Sequence, residues 1–367
     1  MPRKLETDRP LFSVTLALCL IGAVMVFSAS AVTAREQYGN AYHFLWRQLV
    51  WFGVGLGAMF AVMNFDYRRL RQPQFVFTLL SAVLLALIGL FFLDKSHDTH
   101  RWIRIGSASL QPSEFAKLAV ILFLAWFLET RRRRRSFGVN SFQYTILPAL
   151  AVVLLIAGLV LLEPDLGTAL EICFIALAIL FVAGLSPAYI LGAAAAAIPV
   201  IYLAVMQAAY RQERILAFLH PEANAQGAGF QLMQSLIAVG SGGLSGVGLM
   251  ESRQKLFYLP EAHTDFIYAV ICEELGFVGG AAVLALFAVY AWRGLRASMR
   301  APDEFGGFLA LGITVMIASQ ALVNLGVVLG MMPTKGIPLP FISYGGSSLF
   351  VSLVATGVLL NIGQHGD

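Results

Sequence analysis

Charge is scarce in this chain. Only 13% of its 367 residues are Asp, Glu, Lys or Arg, whereas 58% are hydrophobic. No soluble domain of this size averages so apolar a composition. Cysteine is scarce as well: Cys19, Cys173 and Cys272 each fall inside an apolar run, without CxxC or metal-type spacing. The odd count and this spacing favour structural thiols over a disulfide or a metal cluster. Internal repeats, low-complexity tracts and a separate soluble domain are all missing. The glycine-rich run GSGGLSGVG (240–248) has no preceding strand and no GK[ST] ending, so it is neither a Walker nor a Rossmann loop. The net charge of +4 does not indicate nucleic acid, because the basic residues sit in short loops between apolar runs, where orientation signals belong.

What the chain does have is apolar runs of spanning length, repeated from end to end. About ten are expected, near 11–32, 44–63, 75–93, 115–129, 144–162, 167–184, 188–207, 265–292, 306–330 and 347–363. The fourth starts earlier, near Pro112, and EPDLG joins the fifth and sixth as a tight hairpin. The fold class is thus an all-α polytopic membrane protein, a single domain over 1–367. The 34 glycines suit close helix–helix approach in lipid. SASA at the end of the first run faintly resembles a signal-peptidase site, but the run is too long for a signal core and is read as an uncleaved helix.

Orientation follows from Lys and Arg. Arg3, Lys4 and Arg9, the 64–74 loop, the RRRRR loop (131–135) and the 293–305 loop fall on one side, which the positive-inside rule makes cytoplasmic. Both termini are then cytoplasmic. The long segments 94–114 and 208–264 face outward, the latter as a large loop between helices 7 and 8. Within that loop, 227–250 is apolar, glycine-rich and too broken to span, which fits a re-entrant or membrane-surface helix. The carboxylates and histidines concentrate on this outer face, so the working face is extracytoplasmic and a nucleotide-fed enzyme is disfavoured.

Four stretches could do chemistry there. PEAHTDFIYAVICEELG (260–276) places His263, Asp265, Glu273 and Glu274 at or inside a span, where charge is costly. With a helix starting near His263 or Thr264, Asp265 lies at the mouth and suits a general base; capping by Thr264 or Asp265 is the plainer alternative. Glu273 lies about 12 Å deeper and suits a buried pair with a basic partner. HRWIRIGSASLQPSEFAK (100–117) sets Arg101 and Arg104 beside Trp102, a pattern for phosphate or sugar, and places Glu114 and Lys117 three apart for an ion pair. His97, Asp98 and His100 form only a weak cation-type grouping. EPDLGTALE (163–171) puts Glu163, Asp165 and Glu171 at membrane depth, as cavity lining or structure. MPTKGIPLPFISYGGSS (332–348) breaks a helix with three prolines; Ser343, Gly345, Gly346 and Ser347 then open the last span beside Lys335, as an anion site would. A poised carboxylate, several cations and a phosphate-type turn together suit attack by a hydroxyl on a carbon bearing a pyrophosphate leaving group.

These motifs, with FSASA, WRQLVW, EPDLGT, RILAFLHPE, GAGFQLMQSLIAVGSGGLSGVGL and KLFYLPEAHTDF, resemble the SEDS family (shape, elongation, division and sporulation), nearer its FtsW branch than its RodA branch. The resemblance covers essentially the whole chain; Cys272 departs from it, where a small residue such as glycine is usual. It implies ten helices and a glycosyltransferase that polymerises lipid II into β-1,4 glycan at the outer face of the bacterial cytoplasmic membrane, with inversion, in cell division. The family's catalytic aspartate falls on Asp265, and its other important positions on Arg47, Trp102, Arg104, Glu114, Lys117 and Lys335. The implied partners are lipid II and the lipid-linked glycan, a class B penicillin-binding protein, divisome activators and membrane lipid, with no nucleic acid. No cofactor is implied, and a divalent cation is left open. A lipid II flippase and a non-catalytic septal scaffold are the rival readings.

Overall fold

The computed structural model describes residues 7–93, 101–105, 108–133, 138–221, 227–256 and 258–366. Among these, the helices are α1 (Arg9–Tyr38), α2 (His43–Met63), α3 (Pro73–Leu93), α4 (Pro112–Arg133), α5 (Leu147–Leu162), α6 (Leu166–Val182), α7 (Pro187–Met206), α8 (Ala209–Leu219), α9 (Ala228–Ser241), α10 (Ile267–Met299), α11 (Glu304–Val328) and α12 (Gly346–His365). A short antiparallel hairpin, β1 (Ile103–Ile105) with β2 (Ala108–Leu110), pairs Arg104 with Ser109 and precedes α4.

Eight of the helical segments are long and apolar enough to cross a membrane. Leu166–Val182 is a shorter apolar helix, and α4 carries Glu114, Lys117 and Glu129 within its length. These ten correspond to the ten apolar runs of the sequence, and the chain is a multi-pass α-helical membrane protein. Local chemistry sets the ends. Asp8 accepts from the Leu11 N–H, with Pro10 in the first turn of α1. Asp165 accepts from Thr168 at the start of α6, and Asp303 from Gly306 at the start of α11. Gly39 ends α1 in the left-handed region at φ 70°, a turn and a half later than the apolar run alone suggests, because AREQY continues the helix.

α11 and α12 form the centre: 72% and 78% of their most apolar windows are buried, against 6% for α7 at the edge. α12 packs along α2, and α10 along α11 and α1. Small residues permit the close crossings. A Cβ on Gly22 would lie 2.6 Å from the Phe341 carbonyl oxygen, and one on Gly357 would lie 2.7 Å from that of Met59.

α10 is not one continuous helix. Gly276 adopts φ 66°, ψ −165°, which breaks the ladder in mid-span. The groups so freed are met by the glycine-rich turn after α9. Val247 and Gly248 donate N–H bonds to the carbonyls of Glu273 and Glu274, at 3.0 and 3.1 Å, and Phe277 and Val278 donate to Gly243 and Leu244, at 2.8 and 3.2 Å. Irregular backbone is tolerable at membrane depth when protein satisfies it in this way. A Cβ on Gly246 would sit 2.1 Å from the Glu274 carbonyl oxygen, so only glycine fits there. The two acidic residues at the break anchor the same loop. Glu273 accepts from the Ser252 hydroxyl and from the Arg253 and Gln254 N–H groups. Glu274 pairs with Lys255 at 2.7 Å and accepts from Ser28 and the Met250 N–H. The basic partner expected for Glu273 is thus on Glu274: the loop folds back so that Lys255 reaches the next residue, and Glu273 takes backbone donors instead.

Candidate active site

Asp265 lies on the turn that leads into α10, whose first residue is Ile267. The cap position is Phe266 and no side chain caps the helix, so Asp265 and Thr264 are not used as caps. Thr264 instead donates to the Glu261 carboxylate at 2.8 Å. Three contacts hold the turn. Asn324 of α11 donates to the Asp265 carbonyl at 2.8 Å and to the Ile337 carbonyl at 2.7 Å. Ser343 donates to the Thr264 carbonyl, and the Tyr344 N–H donates to the His263 carbonyl. The proline-rich 332–345 segment and the Asp265 turn are therefore one unit, joined through α11.

Among the described residues the Asp265 carboxylate accepts no hydrogen bond. It rests against the backbone of Gly336, where an added Cβ would stand 3.0 Å from Oδ2. Burial, and after it the nearby Glu261 carboxylate, push Asp265 up to about 7, with Arg214 and Arg101 pulling the other way. A carboxyl group poised near neutrality is what general-base work requires.

Gly336 also lines a cavity of about 230 Å³ whose charged residues are Arg101, Arg211, Arg214, Lys335 and Asp165. Lys335 is half-buried and, among the described residues, has no ion pair within 4 Å; burial lowers its pKa from the ordinary lysine value. A second cavity of about 540 Å³ shares Gly167, Leu170, Lys335 and Ile337 with the first and runs along Phe174, Leu322, Val323 and Met332. A cation-lined chamber therefore opens beside an apolar one, with Lys335 at the junction.

The floor and one wall come from the EPDLG turn. Arg101 donates to the carbonyls of Glu163 and Pro164, and Tyr210 of α8 also donates to Pro164. Asp165 is spent on the start of α6, through the Thr168 N–H and hydroxyl. Glu163 is fully buried with both carboxyl oxygens unpaired among the described residues, and burial, then Asp165, push it up to about 8, so it is largely protonated at neutral pH.

Several residues that the sequence groups with this chemistry lie elsewhere. Lys117, expected to meet phosphate, is 1% exposed and bound by Glu114 at 3.0 Å, Glu171 at 3.4 Å and Gln320 at 2.8 Å. Two carboxylates saturate it, so it is a strut between α4, α6 and α11. Glu114 and Glu171 share that role, and Gln320 extends it to the Pro338 carbonyl. The SYGGSS helix start does not face the cavities. Ser343 is committed to Thr264 and to the Leu339 N–H, and Ser347 is buried with its hydroxyl unpaired among the described residues. Gly346 lies under the Trp51 indole, which a Cβ would meet at 2.2 Å. Gly345 precedes it, and α2 covers this end of α12. Arg47 of α2 interacts with Tyr344. His263 packs against Phe44 and Tyr344, with ring centroids 4.6 and 5.7 Å away. Its burial lowers its pKa. Trp102 is exposed beside β1. The side chain of Arg104, like residues His97, Asp98 and His100, lies outside the described residues.

Arg211 and Arg214 are the cations that sequence reasoning missed. They stand three apart on the amphipathic α8; Arg214 opens the stretch RILAFLHPE, read only as a family motif, and Arg211 precedes it. No group of three or more potential metal ligands occurs among the described residues.

A cation-lined chamber with the Asp265 carboxylate at its edge, continued by a largely apolar one, is thus built into a multi-pass membrane bundle with a broken helix. The chain belongs to the FtsW/RodA/SpoVE family, described as cell cycle proteins, whose match spans residues 9–367. Among its relatives, stage V sporulation protein E of Bacillus subtilis is 44% identical over 364 residues, 99% of this chain and 98% of that one. The probable peptidoglycan glycosyltransferase FtsW of Trichlorobacter lovleyi is 43% identical over 361 residues, 98% and 94% of the two chains. Among solved structures, a chain from work on the coordination of polymerization and crosslinking by a peptidoglycan synthase complex superposes with TM-score 0.79 at 32% identity, covering 98% and 99% of the two chains. Thermus thermophilus RodA superposes with TM-score 0.71 at 30% identity, covering 99% and 98%.

Proposed function

We propose that this protein is a peptidoglycan glycosyltransferase that polymerises lipid II at the outer face of the bacterial cytoplasmic membrane, with Asp265 as its general base. The enzyme class is supported by relatives named as probable peptidoglycan glycosyltransferases at about the same identity over nearly the whole chain. The single observation that carries the residue assignment is the Asp265 carboxylate: unpaired among the described residues and set against Gly336 at the edge of the cation-lined cavity.

In this reading the acceptor is lipid II and the donor is the growing glycan on its lipid pyrophosphate. Asp265 takes the proton of the acceptor's GlcNAc 4-hydroxyl. That oxygen forms a bond to C1 of the donor's MurNAc as the bond from C1 to the pyrophosphate oxygen breaks. The electron pair leaves with undecaprenyl pyrophosphate, and attack from the opposite face converts an α linkage to β-1,4. Arg101, Arg214 and Lys335 hold the leaving charge in a site of low dielectric, where such contacts are most effective. The adjoining apolar cavity takes the start of the polyprenyl chain. Arg211 is partly committed to Tyr210 and the Ala204 carbonyl and shapes the chamber wall.

The loops carrying Arg68, Arg69 and Arg71, Arg131 to Arg133, and Arg293, Arg296 and Arg300 face the cytoplasm, with both termini; the 208–264 segment faces out. The solved synthase complex supports a transpeptidase partner of the class B penicillin-binding type, which cross-links the new strand, and the division-type relatives support a septal site of work with divisome activators.

The reading is tested by reconstituting the protein with its penicillin-binding partner and labelled lipid II. Wild type makes glycan ladders and Asp265→Asn makes them at least about a hundredfold more slowly. Ladders from Asp265→Asn as long and as fast as those of wild type reject the base assignment. No product from any reconstituted wild-type complex rejects the enzyme.

A further inference from the structure

At the opposite end of the bundle from Asp265 lies a third concavity, of about 550 Å³, that the polymerisation reading does not use. Three distant parts of the chain build it: the start of α1 (Thr7 to Pro10), the last turns of α10, and the end of α12 at Gly363 and Gly366. Its charged residues are Arg9, Arg293, Arg296, Arg300 and Asp8.

Spacing accounts for the wall. Arg293, Arg296 and Arg300 recur at intervals of three and four, which stacks them on one face of a helix. Like charges so placed repel unless something neutralises them. Asp8 neutralises one: Arg293 makes a forked contact to both its oxygens, with Nη2 at 2.6 Å from Oδ2. The same carboxylate caps α1 through the Leu11 N–H. It has little capacity left for another cation.

Other arginines of this end are served differently. Arg68 meets Asp303, Arg71 and Arg133 meet Glu129, and Arg132 meets Glu304. Among the described residues Arg9, Arg296 and Arg300 meet no carboxylate, yet they surround the concavity. An orientation signal needs positive charge in a loop. It does not need three cations without a carboxylate of their own gathered around one cavity, while Arg68, Arg71, Arg132 and Arg133 at the same end each have one.

We propose that this concavity is a binding site for a phosphate-bearing anion, held by Arg296, Arg300 and Arg9, with the Arg293–Asp8 pair as its fixed wall. Arginine forks suit phosphate oxygens. Two sources carry this chemistry at a membrane surface: the headgroup of an anionic phospholipid and a free phosphate or pyrophosphate. The inference does not rest on the assignment of Asp265, and neither fails with the other.

The test uses the full-length protein and the variant Arg296→Gln/Arg300→Gln. In one arm, native mass spectrometry counts phosphatidylglycerol retained after extraction from phosphatidylglycerol/phosphatidylcholine vesicles. In the other, calorimetry titrates inorganic pyrophosphate into detergent-solubilised protein. At roughly 1 kcal/mol for each arginine at a membrane surface, the double variant should bind about thirtyfold more weakly in whichever arm wild type binds. Arg300→Glu, at an exposed position, is the second variant and should show the same sign without disturbing packing. Arg69→Gln/Arg131→Gln removes equal charge from the same end outside the concavity and should leave binding within about twofold. Retention confined to the lipid arm identifies a headgroup, and binding confined to pyrophosphate identifies a soluble anion. Failure of wild type in both arms, or an equal loss in the control variant, overturns the proposal.

Discussion

Lys117 and Lys335 both feel the charge of Glu171, and their surroundings are opposite. Lys117 is sealed in, with Glu114, Glu171 and Gln320 all on its Nζ. Lys335 is half-buried, feels Asp165 and Glu171 only at a distance, and borders two cavities. The same side chain on the same bundle is a strut in one place and an available charge in the other. What separates them is whether the fold has already supplied the counter-charge. The same contrast holds between Glu274, saturated by Lys255 and Ser28, and Asp265, whose carboxylate accepts no bond among the described residues. Residues left unsaturated beside a cavity are where ligand chemistry is to be sought.

Substitutions should split along this line. Asp265→Asn should cost ~10²–10⁴-fold in glycan polymerisation, the usual range for a lost general base, with the melting temperature unchanged or raised. A melting temperature that falls in step with activity would put Asp265 among the struts. Lys117→Met should do the reverse and strip about 3–5 kcal/mol of stability, because it leaves two buried carboxylates without their cation; thermal unfolding in detergent measures it. Lys335→Ala should lower the polymerisation rate by ~100-fold, the scale for removing one donor to a developing oxyanion, with little effect on unfolding. Gly336→Ala sharpens the comparison further. Its Cβ would press on Asp265 Oδ2 from 3.0 Å, and a displacement of a few tenths of an ångström should cost about tenfold in rate. The smallest effect belongs to Ser343→Ala, about 1 kcal/mol of stability from the clamp on the Asp265 turn, read by urea or thermal unfolding.

The helices were legible because lipid leaves so few options: apolar length alone located all ten runs that became α1 to α7 and α10 to α12. Asp265 stood out in the sequence as a carboxylate at the rim of a greasy helix, and the structure sets it against Gly336 beside the cation-lined cavity. The break at Gly276 was not. EELGFVGG reads as an unbroken apolar continuation, and only the far-off 243–248 segment makes the positive φ affordable by taking up the freed backbone groups. Lys117 was misplaced for a related reason. Its i,i+3 partner Glu114 is visible locally, but Glu171 and Gln320 lie on other helices, and they are what consume its charge. Arg214 was invisible as a charge acting on Asp265 because the end of α8, all of α9 and the segments flanking α9 separate them in sequence. Ser343 to Ser347 had the composition of an anion site, yet Trp51 of α2 covers that helix start. Local pattern named the residues; long-range packing decided which of them remain free.

The most direct test of Asp265 as the base is the pH dependence of kcat/KM for lipid II polymerisation, in wild type and in Arg214→Ala. A base must be deprotonated to act, so the rate should fall as pH drops through the pKa of about 7 that burial and Glu261 impose. Arg214 holds that value down, so its removal should move the acidic limb to higher pH, whatever it does to the plateau. A profile flat between about pH 5.5 and 8, or a limb that moves to lower pH in Arg214→Ala, would contradict the account.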